Sequence, residues 1–361
     1  MTVFYIDPDI RKASTLDASF YNAPENFILS KEKIFARTWQ LIGDTDDLKL
    51  SGQLLPHTLL PGFLDEPVLL VRDKSDQLHC LSNVCTHRGN LLVENPCTDN
   101  QIRCRYHGRR FELNGTFKHM PEFDQVENFP GPNDHLNKVP FHIWEKFVFA
   151  GIAPSITIEQ AIGEMMKRVS FLPLHELKHD KVKSRDYLVK AHWALYCENY
   201  LEGFHIPFIH HDLNAVLDYG AYHTELFKYS NVQVGIAKGG EDVFDIPKDS
   251  PDYGKQISAY YFWIFPNIMF NFYTWGLSIN IVKPLGPALT KVSFLTYVYR
   301  NGDNDHSAGA LLDKVEREDE AIVETVQKGI NSRFYRGGRY APKRETGTHH
   351  FHQLLAQFMN T

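Results

Sequence analysis

Long apolar runs are missing from this chain of 361 residues. No stretch of about 18 uninterrupted apolar residues occurs, so no membrane-spanning helix is expected. The start, Met1-Thr2-Val3-Phe4-Tyr5-Ile6-Asp7-Pro8, lacks the basic region and apolar core of a secretory leader, and the expectation is a cytoplasmic protein. Basic runs are absent as well, and a formal net charge of −6 argues against a nucleic-acid or anionic-membrane partner. Cysteine is sparse and odd in number, five in all, which suits reduced thiols and metal ligation better than a disulfide framework. No Gly-x-Gly-x-x-Gly follows a predicted strand, so the chain has no evident nicotinamide or flavin site of its own. Repeats and low-complexity tracts are lacking too. What remains is a globular composition, long enough for two domains and with 13% aromatic residues, enough for an aromatic-lined cavity.

Two of the five cysteines sit in mirrored motifs. Cys85-Thr86-His87-Arg88-Gly89 and Cys104-Arg105-Tyr106-His107-Gly108 each present one thiolate, one imidazole and a glycine. A zinc finger usually pairs Cys with Cys and His with His, whereas here each loop carries one of each. If Cys85 and Cys104 hold one iron and His87 and His107 the other, the site is a Rieske [2Fe–2S] cluster, with zinc as the competing reading. Gly89 and Gly108 allow tight turns that leave amide N–H groups near sulfur. Cys80, Cys97 and Cys197 read as buried structural thiols.

The fold class expected is α+β, a small all-β cluster domain plus a second domain with an antiparallel sheet flanked by helices. Residues 1–38 read as an N-terminal segment packing on the second domain, with a helix in Asn26 to Trp39 capped at Ser30. Residues 39–154 show short β-rich runs, Val68 to Arg72 and Phe147 to Ala150 among them, broken by Gly and Pro. In residues 155–361 a helix from Ile158 to Val169 precedes strands at Arg185 to Lys190, Tyr260 to Phe265, Ile268 to Tyr273, Leu277 to Val282 and Val292 to Tyr299. Two further helices are expected near Trp193 to His205 and Leu311 to Gly329. Gly239 to Asp252 reads as a mobile surface loop.

A second metal site is suggested by Glu202-Gly203-Phe204-His205-Ile206-Pro207-Phe208-Ile209-His210. On a helix Asn199, Glu202 and His205 share one face, and Pro207 bends the chain so that His210 can return toward His205. A third ligand is expected from the acid-dense helix Asp313 to Glu324, which would complete the two-histidine, one-carboxylate set of non-haem Fe(II) oxygenases. Surface histidines and a solvated acidic face are the plainer readings. A cluster needs a destination for its electrons, and a mononuclear iron supplies one. His211 is expected to play little part.

Together these motifs resemble the α subunit of the Rieske non-haem iron oxygenases over nearly the whole chain. The pattern Cys-x-His-x16-Cys-x2-His falls on residues 85 to 107 and (Asp/Glu)-x2-His-x4-His on 202 to 210. The resemblance implies cofactor binding by Cys85, His87, Cys104 and His107, and Fe(II) ligation by His205, His210 and Asp319, with Glu318 and Glu316 as substitutes for Asp319. It implies that Glu202 serves catalysis by linking the two irons across subunits of a homotrimer, and Asn199 stands beside it as a second catalytic candidate. A separate NAD(P)H-dependent reductase, with or without a ferredoxin, is implied as the electron source. Glu stands at 202 where many members have Asp, and Arg105 and Arg109 stand where Pro and Trp are common. Cys197 to Gly203, Phe265 to Met269 and Pro284 to Pro287 are most similar to the choline monooxygenase branch. A quaternary-amine substrate is expected, held by cation–π contact among Tyr261, Trp263, Phe272, Tyr273 and Trp275, which alternate along two predicted strands, with sheet-core aromatics as the plainer reading. An aromatic-ring-hydroxylating dioxygenase is the alternative enzyme, and a Rieske electron-transfer protein the alternative outside enzymes.

Overall fold

The computed structural model describes residues 3–210, 212, 219–220, 222–299 and 306–361, without the side chains of 306–313. His211 lies outside the described residues. The chain divides into two compact units, Ala36–Ser155 and the combination of Met1–Phe35 with Ile156–Thr361.

The first unit is all β apart from short 3-10 turns. One sheet orders Leu78–Ser82, Glu66–Arg72, Gln53–Leu59 and Cys97–Thr98; another joins Ile102–Arg103, Arg110–Phe111 and Phe117–His119; a third joins Gln40–Asp44, Phe147–Ala150 and Phe141–Trp144. Every pairing in the unit is antiparallel. Its buried cluster combines Leu54, Leu69, Val71, Leu81, Ile102, Phe111, Leu113 and Leu136 with Cys85 and Cys104. The hydrophobic effect that closes the sheets therefore also buries both thiols.

The second unit is built on a seven-stranded antiparallel sheet. In spatial order it runs Lys178–Val189, Leu289–Val298, Gly276–Gly286, Ile268–Tyr273, Ile257–Ile264, Ser230–Ile236 and His223–Leu226. Register assigns its faces, since side chains alternate along each strand. Tyr261 pairs with Asn271, Gln233 with Tyr261 and Asn271 with Ser278, so these four share one face. Tyr200 and Trp263 link this face to the helices Trp193–Tyr200 and Thr346–Asn360, through the Tyr200 hydroxyl on Asn271 and the Trp263 ring on Phe351. Ile158–Arg168 follows a capping box of Thr157 and Gln160 and packs on the strands Ser230–Ile236 and Ile257–Ile264.

Several expectations need correction. The N-terminal helix is Pro24–Lys33, and Ser30 lies inside it, its buried hydroxyl donating to the Phe27 carbonyl. Pro24 in the first turn, where no intrahelical N–H is needed, sets the start instead. The helix from Trp193 stops at Tyr200, short of His205, and Pro207 falls in the first turn of a separate short helix, Ile206–Ile209. Gly239 to Asp252 is anchored rather than loose: Phe244, Ile246 and Asp252 are buried, and Asp252 binds Arg168, Lys255 and the Tyr260 hydroxyl. Cys80 and Cys197 are buried as expected, whereas Cys97 is exposed on a two-residue edge strand.

Candidate metal centres

The two cysteine loops fold by one rule. Cys85 N–H donates to Asn90 O at 2.8 Å and Gly89 N–H to Cys85 O at 3.0 Å. The second loop repeats this, Cys104 N–H to Arg109 O at 2.8 Å and Gly108 N–H to Cys104 O at 3.1 Å. Both turns need a left-handed residue, and Gly89 and Gly108 supply φ of 73° and 75° without a Cβ penalty. Cys85 is 3% and Cys104 2% exposed, and burial pushes the Cys85 thiol up from its ordinary value. The His87 and His107 rings lie 4.9 Å apart at 73°. Burial, then the charges of His107 and Arg109, hold the His87 imidazole below its ordinary value and so favour the neutral, ligating form.

His107 Nδ1 is the atom that tests the fit of a cluster. Among the described residues it is buried without a hydrogen-bond partner, a state that costs ~1–3 kcal/mol unless something occupies the lone pair. A metal does so. Among the described residues, the four loop side chains do not converge as ligands of a single ion would; only His205, His210 and Asp319 do, within 4.8 Å of one another. A lone tetrahedral zinc crowds its ligands about one point, whereas two irons with two ligands each do not require it.

The second centre is assembled from distant segments. His205 and His210 flank the helix Ile206–Ile209, and Asp319 comes from the helix His306–Ile330. That helix buries Glu316, Val323, Gln327 and Ile330, a stripe at helical spacing. Its polar members fix the alignment: Tyr196 donates to Glu316 at 2.6 Å, Gln327 accepts from His192 N–H at 2.7 Å and Glu324 from Lys190 N–H at 3.0 Å. Glu324 and Gln327 thus satisfy backbone donors where the helix Trp193–Tyr200 begins.

The histidines face Asp319 with one nitrogen and a different acid with the other. His205 Nε2 is 3.4 Å and His210 Nε2 2.9 Å from Asp319 Oδ1. On the far side His205 Nδ1 meets Glu202 Oε1 at 2.6 Å and His210 Nδ1 meets Glu318 Oε2 at 2.7 Å. An outer carboxylate on each ring fixes tautomer and orientation and aims both Nε2 atoms at one point. Burial pushes Asp319 up, but His205 and His210 outweigh it and hold the carboxyl low. Burial likewise pushes both imidazoles down, and the carboxylates reverse this, raising His210 and setting His205 at about 9.

Glu202 does not share a helix face with His205. The chain has left the helix, and Glu202 Oε2 accepts from the N–H groups of Phe204 and His205. Gly203 is needed here because a Cβ would lie 2.7 Å from the Tyr222 ring. Asn199 is half-buried in the last turn of its helix, and among the described residues its side chain makes no hydrogen bond. Glu316 and Glu318 are engaged with Tyr196 and His210 and do not join the group formed by Asp319. The outer role of Glu318 was not legible in the sequence, although its place beside Asp319 in the acidic helix could have suggested it.

The five aromatic candidates do not form one cage. Phe272 pairs in register with Tyr260 and contacts Phe262, on the sheet face opposite Tyr261 and Tyr273. Trp263 is fully buried against Phe265 and Phe351 as core. Tyr261, Tyr273 and Trp275 do adjoin: Tyr273 and Trp275 stack at 5.0 Å and 9°, and Tyr261 meets Tyr273 edge-on at 5.9 Å. Sequence reading missed their neighbours Tyr200 and Tyr222. The Tyr200 hydroxyl reaches Asn271 at 2.7 Å and the Tyr222 hydroxyl reaches Gln233 at 3.0 Å, tying the face to the Glu202 turn.

Comparison with known proteins identifies both units. Residues 38–130 match the Rieske [2Fe-2S] domain, and residues 174–361 match the ring hydroxylating alpha subunit catalytic domain. A cluster domain joined to such a catalytic domain defines an oxygenase of the Rieske non-haem iron class, carrying a [2Fe–2S] cluster and a mononuclear iron. The chain belongs to the ring hydroxylating alpha subunit family. It is 29% identical over 368 residues to the chloroplastic choline monooxygenase of Arabidopsis thaliana, covering 97% of this chain and 84% of that one. It is 28% identical to the carnitine monooxygenase oxygenase subunit of Escherichia coli K12, covering 96% and 94%. The solved quaternary ammonium Rieske monooxygenase CntA, described with inter-subunit electron transfer, superposes with a TM-score of 0.79 at 24% identity, over 98% and 96% of the two chains. The catalytic domain removes the reading as a pure electron-transfer protein. Among the described residues no helix is long and apolar enough to cross a membrane.

Proposed function

We propose that this oxygenase hydroxylates a small quaternary amine of the choline or carnitine type. The observation carrying this is the end-to-end likeness to both quaternary-amine monooxygenases, at 28–29% identity over at least 96% of the chain. The overall reaction inserts one oxygen atom into a substrate C–H bond and reduces the other to water, consuming two electrons and two protons. When bound, the cluster at Cys85, Cys104, His87 and His107 carries single electrons, and an iron at His205, His210 and Asp319 provides the open positions for O2 chemistry. The protein's own part is orientation. Glu202 and Glu318 hold the two imidazoles, and the stacked Tyr273 and Trp275 with Tyr261 offer a π surface for a trimethylammonium group.

Electrons come from a separate NAD(P)H-dependent reductase and cross between subunits of a homotrimer, with Glu202 linking a neighbour's cluster histidine to His205. Two apolar exposures support this route: Phe204 and Phe208 flank the Glu202 turn, and Tyr106, 58% exposed, lies over His107 at 3.7 Å. A substrate-dependent oxygen-uptake screen with a generic reductase tests the reading. Uptake coupled to choline, carnitine or betaine analogues is expected; uptake with aromatic acids and none with quaternary amines would replace it with the ring-hydroxylating dioxygenase reading.

A further inference from the structure

A charged side chain is buried beside the cysteine loops. Arg109 follows Gly108 directly, its carbonyl accepts the Cys104 N–H, and its side chain is only 2% exposed. The guanidinium sits in an aromatic box, 4.9 Å from the Phe117 ring centre, 5.5 Å from Phe129 and 5.6 Å from Phe111. One counter-charge meets it: Arg109 Nη2 donates to Asp134 Oδ1 at 2.6 Å and to the Asp134 carbonyl at 3.0 Å. The same Asp134 carbonyl accepts the Thr86 hydroxyl at 3.0 Å, and Thr86 lies between Cys85 and His87. One residue outside the two loops therefore fastens both, through a side chain of each. Among the described residues Arg109 Nε is buried with no acceptor, so the charge is compensated along one edge only.

Burying a guanidinium costs more than its attraction to a partly exposed carboxylate such as Asp134 readily recovers, and an apolar side chain between three phenyl rings would close the same space without that cost. Packing does not call for a charge there. The potential of an iron–sulfur centre responds to nearby charge, because the reduced form is one unit more negative. Resting on the placement of the cluster at these loops, we propose that Arg109 and Asp134 are a positioning pair that sets the cluster's reduction potential. Arg109 raises it by favouring the reduced form, and Asp134 moderates that effect while holding the two loops in register. The electron concerned is the single one delivered by the reductase.

The two members of the pair carry opposite charge, so their neutral variants give opposite shifts. Arg109→Met, which keeps length and ring contact, and Asp134→Asn, which keeps an acceptor for the guanidinium, are compared with the full-length wild type by EPR-monitored redox titration. The midpoint is expected to fall in Arg109→Met and to rise in Asp134→Asn. Each shift amounts to roughly ten-fold in the reduced-to-oxidised ratio at fixed poise, ~59 mV for a one-electron couple. Arg109→Lys, with the charge retained, stays closer to wild type than Arg109→Met. Unchanged midpoints, or shifts of the same sign in variants that keep the Rieske signal, overturn the proposal. If Arg109→Met does not retain a cluster, an Asp134→Asn midpoint at or below wild type is sufficient to overturn it. A wild type without a Rieske signal overturns the cluster assignment itself and is recognised before any variant is made.

Discussion

The two centres solve the same problem in opposite ways. The cluster loops lie close in sequence, repeat one backbone pattern, bury both thiols and leave His107 Nδ1 without a hydrogen-bond partner among the described residues. The mononuclear centre draws on segments more than a hundred residues apart, yet every ring nitrogen in it already faces a carboxylate. At the second centre the carboxylates raise His205 to about 9 despite its burial, and the two histidines hold Asp319 low. Iron loss at the second should therefore leave a folded protein, and cluster loss should cost the β unit part of its stability.

The largest effects come from removing ligands. His205→Ala, His210→Ala or Asp319→Ala should each abolish turnover and remove the non-cluster iron while leaving the cluster's visible and EPR spectra intact. Iron analysis against acid-labile sulfide checks this. Cys85→Ala should do the converse, losing the spectrum and lowering the melting temperature of residues 36–155, while the other unit still binds its iron. Equal melting curves with and without the cluster would remove the contrast between the sites.

Outer carboxylates come next. Glu202→Gln should keep both metals and lose roughly 10–100-fold in turnover, because an amide accepts with only one of its terminal atoms where Glu202 now serves His205 with one oxygen and two N–H groups with the other. Glu318→Gln should weaken iron binding by about ten-fold, with activity recovered at saturating iron. Activity lost beyond recovery would make Glu318 a ligand.

The pH response is the smallest effect. Burial pushes His205 down, but the carboxylates of Asp319 and Glu202 outweigh it and push the imidazole up to about 9, above its ordinary 6.5. Its ionic contacts with Asp319 and Glu202 therefore stabilise the metal-free fold fully below about 6.5, and that contribution is lost as pH rises through 9. A metal must displace this proton, so anaerobic Co(II) affinity should climb between pH ~6.5 and ~8.5 by up to about ten-fold per unit. A flat profile would mean that His205 is already neutral.

This contrast also explains what the sequence could reveal. The mirrored loops were legible because they are their own context: spacing, residue type and glycine position recur twice within residues 85–108. His205 and His210 were legible for the same reason. Asp319 follows only from the family pattern, since several acids crowd that helix and only the contacts of Glu316 with Tyr196 and of Glu318 with the far side of His210 separate them. Strand alternation misled the aromatic reading. Tyr261 and Phe272 stand on adjacent strands, but register sends them to opposite faces, and nothing local to either strand encodes that register. The helix-face argument for Glu202 failed because the helix ends at Tyr200 and the acid turns back on its own loop.

The contrast is tested most directly by metal and sulfide analysis of the purified protein before and after mild chelation, with the Rieske EPR signal and the melting curve recorded on the same samples. About three iron and two sulfide per chain are expected at first, falling to about two iron and two sulfide with signal and melting curve essentially preserved. Zinc in place of iron, or loss of the cluster while the mononuclear iron stays bound, would contradict it.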